Sequence, residues 1–97
     1  MPYHGTYDGT IYFNEANHFS IIVVRTQDPS IPAQARNAAQ LRGRWHKPGT
    51  NLFVAVGHDL PRTSAVELEL DGEWVTGKHG CQLQVEQWRE IVKQTPE

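Results

Sequence analysis

Residues 19–25, with the sequence FSIIVVR, constrain the fold more than any other stretch of the chain. β-Branched and aromatic side chains dominate this stretch, which is typical of a strand and unfavourable for a helix. Residues 6–13 have the same character, and the polar break at 14–18 between the two has the length of a hairpin loop. The pattern therefore predicts a long antiparallel hairpin formed by the first two strands.

Three further segments are predicted to be strands. Residues 52–56 are short and apolar, whereas residues 64–70 and 82–86 alternate between apolar and polar side chains. The alternation in 64–70 places Val66, Leu68 and Leu70 inward and Glu67 and Glu69 in water. A second β segment, 73–75, follows without a long break.

Internal glycines and one insertion shape the expected fold. Gly9 lies inside the first strand and Gly72 follows Asp71 in the fourth, and glycine at such positions favours a bulge or a turn. Between the second and third strands, Pro32 can begin a short alanine-rich helix. The fold class expected is all-β, a small five-stranded barrel with an insertion at 27–51.

Composition bounds the class of protein. The chain has 97 residues, 38% of them hydrophobic, which predicts one domain, 1–97, with a modest core. The formal net charge of −2 gives no overall basic excess, so contact with nucleic acid has to be local. A single cysteine, Cys81, no signal-like start and no apolar run near 18 residues predict a cytoplasmic protein without a membrane partner.

Two blocks of sequence resemble a known family. The first is GTIYFNEANHFSI at 9–21, and the second includes GEWV at 72–75 and KHGCQLQVE at 78–86. They resemble the N-terminal OB-like domain of RecD-like, TraA-type ATP-dependent DNA helicases, relatives of the exodeoxyribonuclease V alpha subunit. The chain departs from that pattern at His79, where an aromatic residue is usual, and in the longer connection at 27–51.

The resemblance implies an OB-like barrel that acts as an accessory domain. In these helicases the domain precedes a helical connector and two ATPase motor domains, which would then be its partners together with DNA. The sequence contains no motif of a motor and no credible pair of catalytic groups, so the chain itself is predicted not to be an enzyme.

A P-loop-like stretch is read as a coincidence. Residues 72–78, GEWVTGK, match its first seven positions, but His79 follows where Ser or Thr would hold magnesium. The stretch also lies in a predicted strand and turn, with no helix after it to direct amides at phosphate. The five histidines and Cys81 are in no metal-binding spacing, and we therefore predict neither a cofactor nor a metal site.

The candidate binding residues concentrate in the insertion. Four of the nine cationic residues lie within twelve positions and flank Trp45; they are Arg36, Arg42, Arg44 and Lys47. Such side chains contact phosphates, and tryptophan stacks on unpaired bases. Single-stranded DNA and an acidic protein are the two partners considered. The alternative is a solvated loop whose Trp45 packs on the barrel.

Aromatic and acidic residues complete the prediction. Tyr7 and Tyr12 are predicted to face outward, with Tyr12 as a secondary candidate for base stacking. The remaining large aromatic residues considered are predicted to be core, namely Phe13, Phe19, Phe53, Trp74 and Trp88. Glutamates on the fourth strand, Glu67, Glu69 and Glu73, would repel DNA there.

Two functions remain open. The preferred one is a non-catalytic accessory domain of a RecD-like helicase in DNA repair, which assists DNA positioning or partner docking. The alternative is a protein–protein interaction module with no nucleic-acid affinity, which the near-neutral charge favours.

Overall fold

A computed structural model describes residues 2–36, 50–60, 67–77 and 80–91, except for the side chain of Arg36. The elements in chain order are β1 (Tyr3–Asn14), β2 (Phe19–Thr26), α1 (Ala33–Arg36), β3 (Asn51–His58), β4 (Glu67–Gly77) and β5 (Gly80–Glu90). In these ranges no helix is long and apolar enough to cross a membrane.

The five strands close into one barrel in the order β1-β2-β3-β5-β4. Neighbouring strands are antiparallel except β3 and β5, which are parallel through Ala55↔Leu83 and Val56↔Gln84. Each strand therefore has a paired neighbour on both sides, although β3 pairs with β5 only at two positions and β1 with β4 only at four. The predicted all-β, OB-like barrel is confirmed.

Both glycine-marked bulges are present. The register of β1 against β2 shifts between Tyr7 and Gly9, and that of β4 against β5 shifts between Asp71 and Gly72. A side chain at Gly72 would overlap the carbonyl oxygen of Gln84, so the backbones approach too closely there for any other residue. The bulges let long strands bend around a narrow barrel.

The barrel interior holds one apolar cluster built from all five strands and from the start of the insertion. The buried ring of Phe53 meets the half-buried indole of Trp74 edge-on with centroids 5.5 Å apart, and the half-buried ring of Tyr3 meets the same indole at 5.2 Å. The other buried members are Tyr7, Ile22, Val24, Ile31, Ala35, Ala55, Leu60, Leu68, Leu70 and Leu83.

A second apolar cluster lies on the outer face of β2 and β3. Its fully buried or nearly buried members alternate with the interior set, and they are Val23, Leu52, Val54 and Val56. Phe19 and Ile21 pack against them and are half-buried. These two strands therefore have apolar side chains on both faces, which explains why residues 19–25 carry so strong a β signal.

Four of the aromatic predictions were wrong. Trp88 is 37% exposed, because it lies in the part of β5 beyond its pairing with β3, where the barrel no longer covers it. Tyr7 is buried rather than outward, since it pairs with the inward Val24. Phe13 and Phe19 are half-buried rather than core, and Trp74 is also half-buried but packs against the interior cluster.

A second register shift, between Thr10 and Tyr12, changes the faces of β1. It interrupts the simple alternation that would place Ile11 and Phe13 together inside. Ile11 stands at this shift and is 37% exposed, while Tyr12 next to it is exposed as predicted. Bulges in β1 thus decide which of its aromatic residues are accessible.

The insertion begins as predicted and then leaves the described residues. Pro32 directly precedes α1, and its carbonyl accepts a hydrogen bond from the amide of Ala35 at 3.0 Å. Ile31 and Ala35 are buried in the interior cluster, so the start of the insertion packs on the barrel. The predicted continuation of the helix through Ala38, Ala39 and Leu41 lies outside the described residues.

Candidate nucleic-acid interface

The predicted basic loop falls outside the part of the chain that the structure describes. This applies to Arg42, Arg44, Trp45 and Lys47, and Arg36 is placed only by its backbone at the last position of α1. Tyr12 is the one predicted binding residue whose side chain is described. The interface is therefore built outward from Tyr12.

Tyr12 is the first of three rings that cross neighbouring strands on the outer face of the barrel. Its side chain is 47% exposed, and its ring centroid lies 6.4 Å from that of Phe19 in β2. Phe19 in turn meets His58 of β3 edge-on at 5.5 Å. We call Tyr12, Phe19 and His58 the ring row; sequence reasoning found the first ring and assigned the second to the core.

Strand register explains the ring row. Phe19 pairs with Asn14 on one side and with His58 on the other, so the start of β2 lies between the ends of β1 and β3. The bulge in β1 places Tyr12 opposite Ile21, on the outward-facing side. Tyr12 and His58 are exposed and Phe19 between them is half-buried. Exposed aromatic side chains can stack on unpaired bases without reading their sequence.

The turn between β1 and β2 is held by its own asparagines. The Asn14 side-chain oxygen accepts a hydrogen bond from the amide of Ala16 at 2.8 Å, and that of Asn17 accepts one from the amide of Phe19 at 3.0 Å. These Asx turns fix the chain on entry to β2. They orient the backbone that carries the middle ring.

This turn is also bonded to the residue that follows β3. The amide of Asp59 donates to the carbonyl of His18 at 3.0 Å, and the His18 Nδ1 lies 3.0 Å from the Asp59 Oδ1. Both side chains are exposed, and with Phe13, Glu15 and Leu60 they surround a depression of about 370 Å³. The ring row therefore has a polar rim at this end.

Acidic side chains dominate a different face of the barrel. The outward positions of β4 are Glu67, Glu69, Asp71 and Glu73. Glu67 and Glu69 are half-buried rather than fully in water as predicted, while Glu73 is exposed. A row of carboxylates disfavours the approach of a phosphate backbone on this side.

The arginines whose side chains are described are already paired with carboxylates. Arg89 donates to the Glu69 carboxylate at 2.8 Å, and the His4 Nε2 lies 3.6 Å from the same carboxylate. Arg25 donates to the Asp8 carboxylate at 3.2 Å. The hydrogen bond from Arg89 lowers the pKa of Glu69 despite some desolvation, and the same bond raises the pKa of Arg89. In the described ranges the ring row is thus an aromatic surface rather than a basic one.

A groove of about 610 Å³ lies where β1 begins and β2 ends, and sequence reasoning missed it. Asp28 lines it and accepts hydrogen bonds from the His4 amide at 3.2 Å and from the Ser30 amide and hydroxyl at 2.9 and 2.6 Å. Burial raises the pKa of Asp28, but the bonds from Ser30 and His4 outweigh it and the net pKa is lowered. Because its carboxylate already holds three chain donors, we assign it a structural role.

The remaining motifs carry no site in the described ranges. Gly72 to Gly77 of the P-loop-like stretch form strand β4, and Lys78 lies outside the description. Cys81 packs beside the interior cluster, and burial raises the pKa of its thiol, which disfavours the thiolate form. Among the described side chains, no three His, Cys, Asp or Glu residues are grouped to hold a metal.

Comparison with known proteins gives one match. A family model described as "ATP-dependent DNA helicase YrrC, OB-fold domain" matches residues 1–93. The match covers every strand of the barrel and the ring row. No curated protein matches the chain, and no solved structure matches it.

Proposed function

Because this chain belongs to the family of OB-fold domains of the ATP-dependent DNA helicase YrrC, we propose that it contacts single-stranded DNA for a RecD-like helicase. Its role is accessory: it positions the strand or docks a partner, and the motor domains of the same helicase hydrolyse ATP. The TraA-type subtype, the relation to the exodeoxyribonuclease V alpha subunit, the cytoplasmic location and a role in DNA repair belong to this proposal.

The observation that carries the proposal is the ring row on the outer face of β1, β2 and β3. The β1–β2 loop of OB folds is one of the places where oligonucleotides commonly bind. Tyr12, Phe19 and His58 lie at that loop, away from the carboxylates of β4. Base stacking on such rings contributes about 1–3 kcal/mol per base.

The basic residues of the insertion supply the second part of the proposed contact. Arg36, Arg42, Arg44 and Lys47 are proposed to neutralise phosphates, with Trp45 stacking on a base. Stacking depends weakly on salt, whereas each neutralised phosphate of a single strand adds about −0.7 to the slope of log K against log salt. The two parts can therefore be separated by salt.

We would measure fluorescence anisotropy of a labelled oligothymidylate at about 50 and 200 mM salt. Tyr12→Ala is expected to weaken binding by about 1–3 kcal/mol with an unchanged salt slope. Ile11→Ala, which removes a neighbouring exposed side chain, is the matched control and is expected to bind like the wild type. An Arg42/Arg44/Lys47 triple-alanine variant is expected to make the slope of log K against log salt less negative by about 2.

The alternative function is a protein-docking module without nucleic-acid affinity. The exposed apolar side chains of Ile11 and Trp88, each 37% exposed, favour it. Absence of oligonucleotide binding at low salt and high micromolar protein would reject DNA contact and leave this alternative. If an acidic protein binds the wild type and does not bind the triple-alanine variant, the insertion is the docking site.

A further inference from the structure

Two residues with left-handed backbone are bonded to each other at one end of the ring row. In the described ranges, His18 has a φ of 60° and Asp59 a φ of 57°, and they are the non-glycine residues with positive φ. This conformation costs a residue with a side chain more free energy than it costs glycine, although His and Asp adopt it more readily than most residues. Glycine would avoid that cost at either position, so the side chains themselves need an explanation.

The two residues are 41 positions apart and joined twice. The Asp59 amide donates to the His18 carbonyl, and the His18 imidazole contacts the Asp59 carboxylate, both at 3.0 Å. A glycine at either position would keep the backbone bond and lose the side-chain bond. We call His18 and Asp59 the latch.

The latch adjoins two of the rings directly. His18 precedes Phe19 and Asp59 follows His58, and Phe19 and His58 are the last residue pair of the β2–β3 ladder. Strand ends fray when nothing holds them. The latch closes the ladder one residue beyond this ring pair, whose centroids are 5.5 Å apart with an interplanar angle of 66°.

We propose that His18 and Asp59 are positioning residues: the latch holds Phe19 edge-on against His58, and Phe19 in turn supports the exposed ring of Tyr12 on which a base stacks. This inference rests on the proposed function of the ring row. The latch acts through the rings and does not itself touch the DNA. The side-chain bond that orders the rings explains why His and Asp, rather than glycine, occupy these two positions.

Substitutions of Asp59 can remove the side-chain bond to His18 while the backbone bond between the two residues stays. Asp59→Gly tolerates the left-handed backbone and removes the side-chain bond, whereas Asp59→Asn tolerates it and keeps an oxygen acceptor. We expect Asp59→Gly to weaken oligothymidylate binding about threefold, because the bond between two exposed side chains contributes little free energy. We expect the affinity of Asp59→Asn to stay within about twofold of the wild type. Thermal melting checks that both variants are folded.

An NMR measurement without DNA tests the positioning itself. The Phe19 ring shifts the resonances of the His58 ring protons, and nuclear Overhauser effects connect the two rings. In Asp59→Gly we expect this shift to shrink and the effects to weaken, with recovery in Asp59→Asn. In a Phe19→Leu background, Asp59→Gly is expected to cause no further loss of affinity, because the latch acts through Phe19.

The outcomes distinguish this inference from the proposed function. Unchanged His58 shifts and unchanged affinity in Asp59→Gly would overturn the inference even if the wild type binds DNA. A wild type that binds no oligonucleotide would overturn the proposed function and, with it, the role of the latch in binding. The ring-proton shifts would then still decide whether the latch orders the rings.

Discussion

At the scale of single residues, Gly72 shows how one position can suggest a ligand site and yet serve the fold. It begins the P-loop-like stretch, but its backbone lies against the Gln84 carbonyl of the neighbouring strand. The close approach occurs at the bulge where β4 and β5 change register. The requirement for glycine here is therefore steric and arises from strand β5.

Gly72→Ala is expected to destabilise the protein by about 3 kcal/mol, because the added methyl group meets backbone atoms that cannot rotate away. Gly9→Ala is the matched control: an added Cβ there meets nothing within 4 Å, and Gly9 also lies at a bulge. We expect the control to remain within about 1 kcal/mol of the wild type. Urea unfolding measures both, and equal losses would contradict the steric explanation.

At the scale of elements, β2 and β3 differ from the other strands because both of their faces are apolar and buried. Val24 points into the barrel and Val23 lies in the outer cluster, and neither has measurable exposure. On β4, by contrast, the outward positions are acidic. Because residues on both faces of β2 and β3 are buried in apolar clusters, a polar substitution on either face is unfavourable.

Val23→Thr and Val24→Thr are each expected to cost about 1–3 kcal/mol, since a hydroxyl would be buried in an apolar cluster on either face. Val75→Thr, at a half-buried position of β4, is the control and is expected to cost less than about 1 kcal/mol. Free energies of unfolding from denaturant titration test this. A loss at Val23 no greater than at Val75 would show that the outer face is open to water.

At the scale of the whole molecule, closure depends on short contacts between distant strands. β1 pairs with β4 over Tyr3 to Thr6, and β3 pairs with β5 at Ala55 and Val56. Near the first of these contacts, Thr26 donates to the His4 carbonyl at 2.5 Å and Asp28 accepts from the His4 amide. Asp28 thus ties the chain after β2 to the start of β1.

Asp28→Asn is expected to lower the melting temperature at neutral pH. Its melting temperature is also expected to decrease less than that of the wild type as the pH is lowered. The pKa of Asp28 is below its unfolded value of 3.8, so its carboxylate stabilises the fold above that pH. This contribution is lost as the pH falls through the folded-state pKa. Melting curves between about pH 6 and pH 2 measure it, with the exposed Asp71→Asn as control. A variant as acid-sensitive as the wild type would contradict the prediction.

Local sequence determined much of this protein. Apolar alternation, β-branched side chains and turn residues located five strands, and glycines located the bulges at Gly9 and Gly72. Such signals depend on neighbours one to four positions apart, so they can be read from the chain. Tyr12 was predicted to face outward and does so, but its position results from the register shift between Thr10 and Tyr12 rather than from simple alternation.

Only the tertiary structure decided which faces are covered and which distant residues meet. Trp88 has a core-like sequence context, but it is exposed because β5 continues beyond the residues that pair with β3. Phe19 joins His58, and His18 joins Asp59, through a register that pairs residues about forty positions apart. No local pattern encodes these contacts, because barrel closure and bulge placement bring the residues together after the strands have formed.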